Sequence, residues 1–183
     1  MKRTNLLSAL LLGCLCGGSI LAHAQSPEST IGGEQHLSVG GDINATYLGY
    51  GKRWLGGAGI SVDANMNHWL GVESEGNFTF YREAYNFHAT TWLGGPRYQF
   101  NGLGSSYRFH PYAKFLVGVG EFSLGAYGHD NCFVMAPGAG VDYRVNERWR
   151  LRVVDFEYQD WPQFSFGPMQ NFAITTGVRY NIR

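Results

Sequence analysis

What the sequence has little of already narrows it. Charged residues make up 15% of the 183-residue chain, where an ordinary soluble domain has about a quarter. Neither sign dominates, with Lys+Arg 14 and Asp+Glu 14, so the chain carries no basic footprint for nucleic acid. Cysteine is scarce: Cys14 and Cys16 lie in the first 24 residues, which leaves Cys132. One cysteine builds no internal disulfide framework. No stretch reaches the roughly 18 consecutive apolar residues of a spanning helix. Apolar residues at helical spacing are missing too. What is abundant is glycine, with 26 residues, and aromatic side chains, at 15%.

The first 24 residues read as an export signal. Lys2 and Arg3 form a basic start, residues 6–16 an apolar stretch, and Ala22-His23-Ala24 a small-x-small cleavage site. The expected mature domain is 25–183. Loss of Lys2 and Arg3 leaves 12 basic residues against 14 acidic ones, a net of about −2. Leu11-Leu12-Gly13-Cys14 loosely resembles a lipidation box, but Cys14 also fits as a plain member of the apolar stretch.

Beyond that signal the chain alternates with period two. In 36–50, Leu37, Val39, Ile43, Ala45 and Tyr47 oppose Ser38, Asp42, Asn44 and Thr46. The same reading recurs in 54–65, 70–80, 92–100, 111–120, 136–145 and 172–182. Between 149 and 158 the parity breaks, because Leu151 and Val153 share one phase and Phe156 and Tyr158 the other. A bulge near Val154 restores the register and brings Asp155 and Glu157 to the face of Arg150 and Arg152. The total is about eight strands of roughly ten residues, the length of a tilted membrane-crossing strand. Tight turns near 66 and 147, with a longer link at 101–108, mark one end, and longer loops near 81–91, 121–132 and 159–171, with a short one near 50–54, mark the other. Pro96 and Pro137 fall within runs, and such prolines call for bulges or strand ends.

The polar face is charged and balanced. Asp42, Asp63, Glu73, Glu75, Asp142, Asp155 and Glu157 face Arg97, Lys114, Arg144, Arg150, Arg152 and Arg179. A small closed barrel would pair these thirteen groups in its interior and turn its apolar face to lipid. Trp54, Trp69, Trp92, Tyr112, Tyr143, Trp149, Tyr158 and Tyr180 lie near run ends, as an interfacial aromatic girdle does. The expected fold is all-β: a single closed antiparallel transmembrane β-barrel of about eight strands.

Several segments resemble the small outer-membrane β-barrel proteins of the OmpA-like and opacity-type porin family. They include Ser38-Val39-Gly40-Gly41-Asp42, Trp69-Leu70-Gly71-Val72-Glu73 and Gly94-Gly95-Pro96-Arg97-Tyr98. Pro137-Gly138-Ala139-Gly140-Val141-Asp142-Tyr143 and Thr176-Gly177-Val178-Arg179-Tyr180 continue the series. The resemblance spans nearly all of 36–183 and implies an exported, integral outer-membrane protein. The family commonly ends on an aromatic residue, whereas this chain ends Asn181-Ile182-Arg183.

Chemistry-bearing motifs are sparse. Glu73 and Glu75 share a strand face, which suits an ion-pair network better than acid–base work. His129-Asp130-Asn131-Cys132 has metal-type ligands at a spacing that fits no zinc pattern. Ser123 or Ser165 with His129 and Asp130 are the ingredients of a hydrolase triad, without a nucleophile elbow. The expectation is therefore a monomeric, non-enzymatic barrel without cofactor or metal, contacting outer-membrane lipid. Its loops would meet a surface partner, and their aromatics Tyr81, Tyr85, Phe87, Tyr127, Trp161 and Phe164 fit either as contacts to it or as rings at the lipid interface. The alternatives are an outer-membrane lipid-modifying enzyme and a soluble periplasmic barrel with a lipophilic ligand. A diffusion pore is disfavoured, because thirteen charged side chains would fill so narrow a lumen.

Overall fold

The structure is a computed structural model that describes residues 37–49, 52–67, 69–81, 87–100, 108–123, 129–162 and 169–182. The expected export signal at 1–24 lies outside these residues, as do Tyr85, Tyr127, Phe164 and Ser165. Eight strands follow in chain order: β1 (Leu37–Leu48), β2 (Arg53–Asn65), β3 (Leu70–Tyr81), β4 (Phe87–Gln99), β5 (Phe109–Ser123), β6 (His129–Arg144), β7 (Trp149–Trp161) and β8 (Met169–Ile182). Each pairs antiparallel with its sequence neighbour, and β1 pairs with β8 to close the ring. Closure leaves no unpaired sheet edge, the condition for a sheet to cross hydrocarbon.

The strands have 12 to 16 residues, longer than the ten or so expected. Thirteen residues cover about 43 Å along the strand, or about 30 Å of membrane normal at a 45° tilt. The extra residues come from the expected loops: Phe87 and His129 open strands, and Ser123 and Trp161 end them.

Alternation puts polar residues inside and apolar ones outside, the reverse of a soluble barrel. In β1, Asp42 is 6% exposed and its neighbour Ile43 is 66% exposed. Ile60, Val62, Phe115, Val117, Val119, Phe156 and Val178 are also exposed on the outer wall. Such a surface is stable against lipid tails, not against water.

The parity break in β7 is a bulge. The β7–β8 register runs Arg152↔Gly177 and then Asp155↔Thr175, so β7 carries one extra residue at Val153–Val154. The β6–β7 ladder shifts at the same place. The Thr176 hydroxyl donates to the Arg152 carbonyl at 2.8 Å, occupying a group the bulge draws out of the ladder.

Pro96 and Pro137 correct the sequence reading, since both sit inside strands with no bulge. The β4–β5 ladder skips Gly95 and Pro96 and resumes at Arg97↔Lys114 in the same register. The β6–β7 ladder likewise skips Ala136 and Pro137. A strand residue offers its N–H to one neighbour only, so each proline interrupts pairing on one side. The other side stays intact, with Val72↔Pro96 and Phe115↔Pro137.

At one end of the barrel the β2–β3 and β6–β7 connections are short turns. Met66 and Asn67 both donate backbone N–H to the Leu70 carbonyl at 2.9 Å. Asn146 Oδ1 accepts from the Arg148 and Trp149 N–H groups at 2.9 and 2.7 Å, the Asx geometry that suits Asn to turns. At the opposite end β1, β3, β5 and β7 finish, at Leu48, Tyr81, Ser123 and Trp161.

Candidate functional site

The interior is the part of the molecule where polar groups converge. Each of the eight strands sends at least one charge inward: Asp42, Asp63, Glu73, Arg97, Lys114, Asp142, Arg152 and Arg179, with Glu75, Asp155 and Glu157 added from β3 and β7. All eleven are buried.

Glu73 is the hub. Arg179 meets its carboxylate at 2.7 Å, Arg97 at 3.7 Å and Lys114 at 4.0 Å, and Arg152 also bonds it. Arg97 spans the lumen, joining Asp63 on β2 at 2.9 Å to Asp142 on β6 at 2.5 Å. Arg179 adds Asp63 at 2.6 Å. Lys114 sits among Glu75 at 3.0 Å, Asp155 at 2.9 Å and Glu157 at 3.1 Å. Ser61 donates to Asp42 at 2.9 Å and Ser38 to Asp63 at 3.2 Å. Buried charges survive only when paired and hydrogen-bonded in this way.

Two of the thirteen predicted charges stay out of the network. Arg144 is exposed and Arg150 half-buried. Both have the inward parity, but they stand at the turn-end mouth, beyond the last layer of paired carboxylates.

Toward the loop end the charges give way to amides and hydroxyls. Asn44 donates to Asn77 at 3.2 Å, Asn77 to Glu75 at 3.3 Å and Gln159 to Glu157 at 2.7 Å. A cavity of about 10 Å³ lies here, bordered by Asn44, Asn77, Thr79, Thr91, Gln159 and Asn171. That is room for about one water. Above it an apolar plug closes the lumen, built from Leu48, Leu55, Leu93, Leu116, Phe122, Val134, Trp161 and Met169 with smaller residues between. Among the described residues the lumen is filled by charged, amide and apolar side chains, as a packed core is.

The aromatic positions divide. Trp54, Trp69, Trp149 and Tyr180 are exposed near strand ends, and Tyr143 and Tyr158 are half-buried there. They pair around the wall: Trp69 with Tyr98 at 5.6 Å between ring centroids, Trp149 with Tyr180 at 5.0 Å, Tyr47 with Trp54 at 5.4 Å and Tyr158 with Phe172 at 5.1 Å. Tyr112 is a correction. It is 1% exposed, its hydroxyl donates to Asp155 at 2.5 Å, and the Arg97 guanidinium stacks 3.8 Å from its ring centroid. Tyr112 has the parity of Lys114, and that parity outweighs the preference of tyrosine for interfaces. Trp92 is a second correction, since it lies mid-strand, covering Gly76 on the outer wall, where any side chain at 76 would collide with the ring.

Trp161 is no loop contact. It is buried in the plug over Gly120, where a Cβ would collide with its ring, and its Nε1 donates to Gln159 at 3.4 Å. The signal was its parity with Asp155, Glu157 and Gln159 after the bulge. Cys132 belongs to the same plug. Among the described residues no group of three metal-ligating side chains comes together. Of the triad ingredients, Ser123 pairs in register with His129, and Asp130 with Phe122, one position over and so on the opposite face of the sheet.

A family model described as "Outer membrane protein beta-barrel domain" matches residues 8–181. The fold is similar to that of Neisserial surface protein A, with a TM-score of 0.69 at 14% identity, over 79% of this chain and 96% of that one. It is similar to Ail, the attachment invasion locus protein of Yersinia pestis, with a TM-score of 0.53 at 17% identity, over 83% of this chain and 100% of that one. It is also similar to the outer membrane enzyme PagL, with a TM-score of 0.54 at 18% identity, over 76% and 97%. No curated protein sequence matches.

Proposed function

The chain belongs to the outer membrane protein beta-barrel domain family, and from that premise we propose that it is an exported, monomeric, non-enzymatic barrel that holds surface loops for contact with a partner outside the cell. The observation that carries this is the closed interior. Among the described residues, ion pairs at one end, amides in the middle and the plug at the other occupy the lumen, which favours a role played outside it. The loop end is then the part of the molecule free to engage something. Two of the similar barrels are named a surface protein and an attachment protein, which favours a surface role. The signal-like first 24 residues supply the export such a role needs.

A second reading rests on one observation. Ser123 lies between His88 and His129 in adjacent strands at the loop end, and an enzyme is among the similar barrels. One experiment separates the two. The chain is expressed in an outer-membrane host, alongside Ser123→Ala, and lipid A is compared by mass spectrometry. The expected result is the same spectrum in the empty host, the wild type and the variant. A modified species that disappears with Ser123→Ala would replace the proposal with the enzyme.

A further inference from the structure

Three arginines, Arg144, Arg150 and Arg179, stand in one row across three consecutive strands at the turn end, and Arg108, the residue before β5, extends the row with its guanidinium donating to the Tyr143 hydroxyl at 3.2 Å. The Arg144 N–H donates to the Arg108 carbonyl at 2.8 Å, Arg144 pairs in register with Arg150, and Arg150 with Arg179. Like charges directly opposite one another destabilise a sheet. Arg179 is relieved by Asp63 and Glu73. Arg144 and Arg150 make no ion pair among the described residues. Asp142, in register with His110, gives its Oδ2 to Arg97 at 2.5 Å and Arg179 at 3.5 Å, and its buried Oδ1 has no hydrogen-bond partner. Two buried nitrogens at this mouth also lack a partner, Arg150 Nε and His110 Nε2. His110 pairs in register with Asp142, one step inward from the Arg108–Arg144 pair.

From this arrangement we propose that the turn-end mouth is a phosphate-binding site formed by Arg144, Arg150 and His110, with Arg108 at its rim. A guanidinium presents a planar fork of donors that matches two oxygens of one phosphate. A tetrahedral anion offers enough oxygens to take both forks and the imidazole together, and its charge relieves the opposed arginines. The outer wall at the level of the site is aromatic, as a barrel is at headgroup depth. Phe109, Tyr143 and Trp149 alternate along the chain with Arg108, His110, Arg144 and Arg150, and Phe109 packs on Tyr143 at 5.0 Å and Trp149 on Tyr180 at 5.0 Å in the outer belt. A lipid phosphodiester and a free phosphate share this chemistry. The inference is independent of what the loops contact.

The test uses the full mature chain refolded in neutral detergent. Native mass spectrometry measures retention of phosphatidylglycerol and of phosphatidylcholine, and calorimetric titration measures inorganic phosphate. The wild type is expected to retain phosphatidylglycerol over phosphatidylcholine. The Arg144→Gln/Arg150→Gln variant is expected to bind at least about tenfold more weakly. Binding of phosphatidylglycerol alone identifies a lipid headgroup as the source. Equal displacement by inorganic phosphate identifies the free anion. A heat-dependent gel shift checks that the variant is folded, and Arg150→Lys, which keeps the charge and loses the fork, gives an intermediate loss. Failure of the wild type to bind either anion, or unchanged binding by the folded double variant, would overturn the proposal.

Discussion

The two ends of the lumen are filled by opposite means. The turn-end half is held by long charged side chains that reach across to distant strands, as Arg97 does between Asp63 and Asp142. The loop-end half is filled by apolar groups that touch whatever is near, as Leu116, Val134 and Trp161 do. The charged half is directional, and each group has its place specified by a partner. The plug is non-directional and depends on volume alone. Apolar burial inside the barrel contributes stability without specifying which group meets which. Directional pairing is therefore what fixes the relative positions of its walls.

The largest effect should come from removing a cation. Lys114→Met leaves Glu73, Glu75, Asp155 and Glu157 facing one another without their shared ammonium. A loss of about 3–5 kcal/mol is expected by urea unfolding in detergent. The loss should shrink as the pH is lowered, because protonation relieves the repulsion; an equal loss at every pH would show that the ammonium acts only as packing. Next is Trp161→Ala, which empties the plug. It should cost about 3 kcal/mol and leave the response to pH unchanged, and bilayer conductance should rise if the plug is the tighter seal. Tyr112→Phe removes one bond to a carboxylate and keeps the ring under Arg97, so about 2 kcal/mol is expected from the same unfolding curve. Smallest is Ile43→Val on the outer wall, within about 0.5 kcal/mol. A larger loss there would mean that the outer face is packed against something more specific than lipid.

The same contrast explains what was legible in the sequence. Charge at every second position exposes the inner face, so the eleven buried charges and the bulge at Val153–Val154 follow from parity. The plug was hidden because apolar residues occupy both faces there. Phe115, Leu116 and Val117 alternate out, in, out without any change of type. Tyr112 and Trp161 were read by residue type, where parity was the better guide. Arg144 and Arg150 keep the right parity, but nothing in an alternating pattern marks where the paired layer stops. Pro96 and Pro137 depend on which neighbour each N–H faces, which only the register reveals.

The hub also has a consequence for time. Glu73 is joined to Arg179 across 106 residues and to Arg152 across 79, and β1 meets β8 through Leu37↔Ile182. Such contacts give nothing until almost the whole chain is in place, so the folding rate is set by a late search for closure. Going the other way, no strand can leave alone, because each is held by a ladder on both sides and by a charge in the middle. The barrel should therefore persist through a slow escape rate, and its folding and unfolding curves in denaturant should trace different paths unless days are allowed for them to meet.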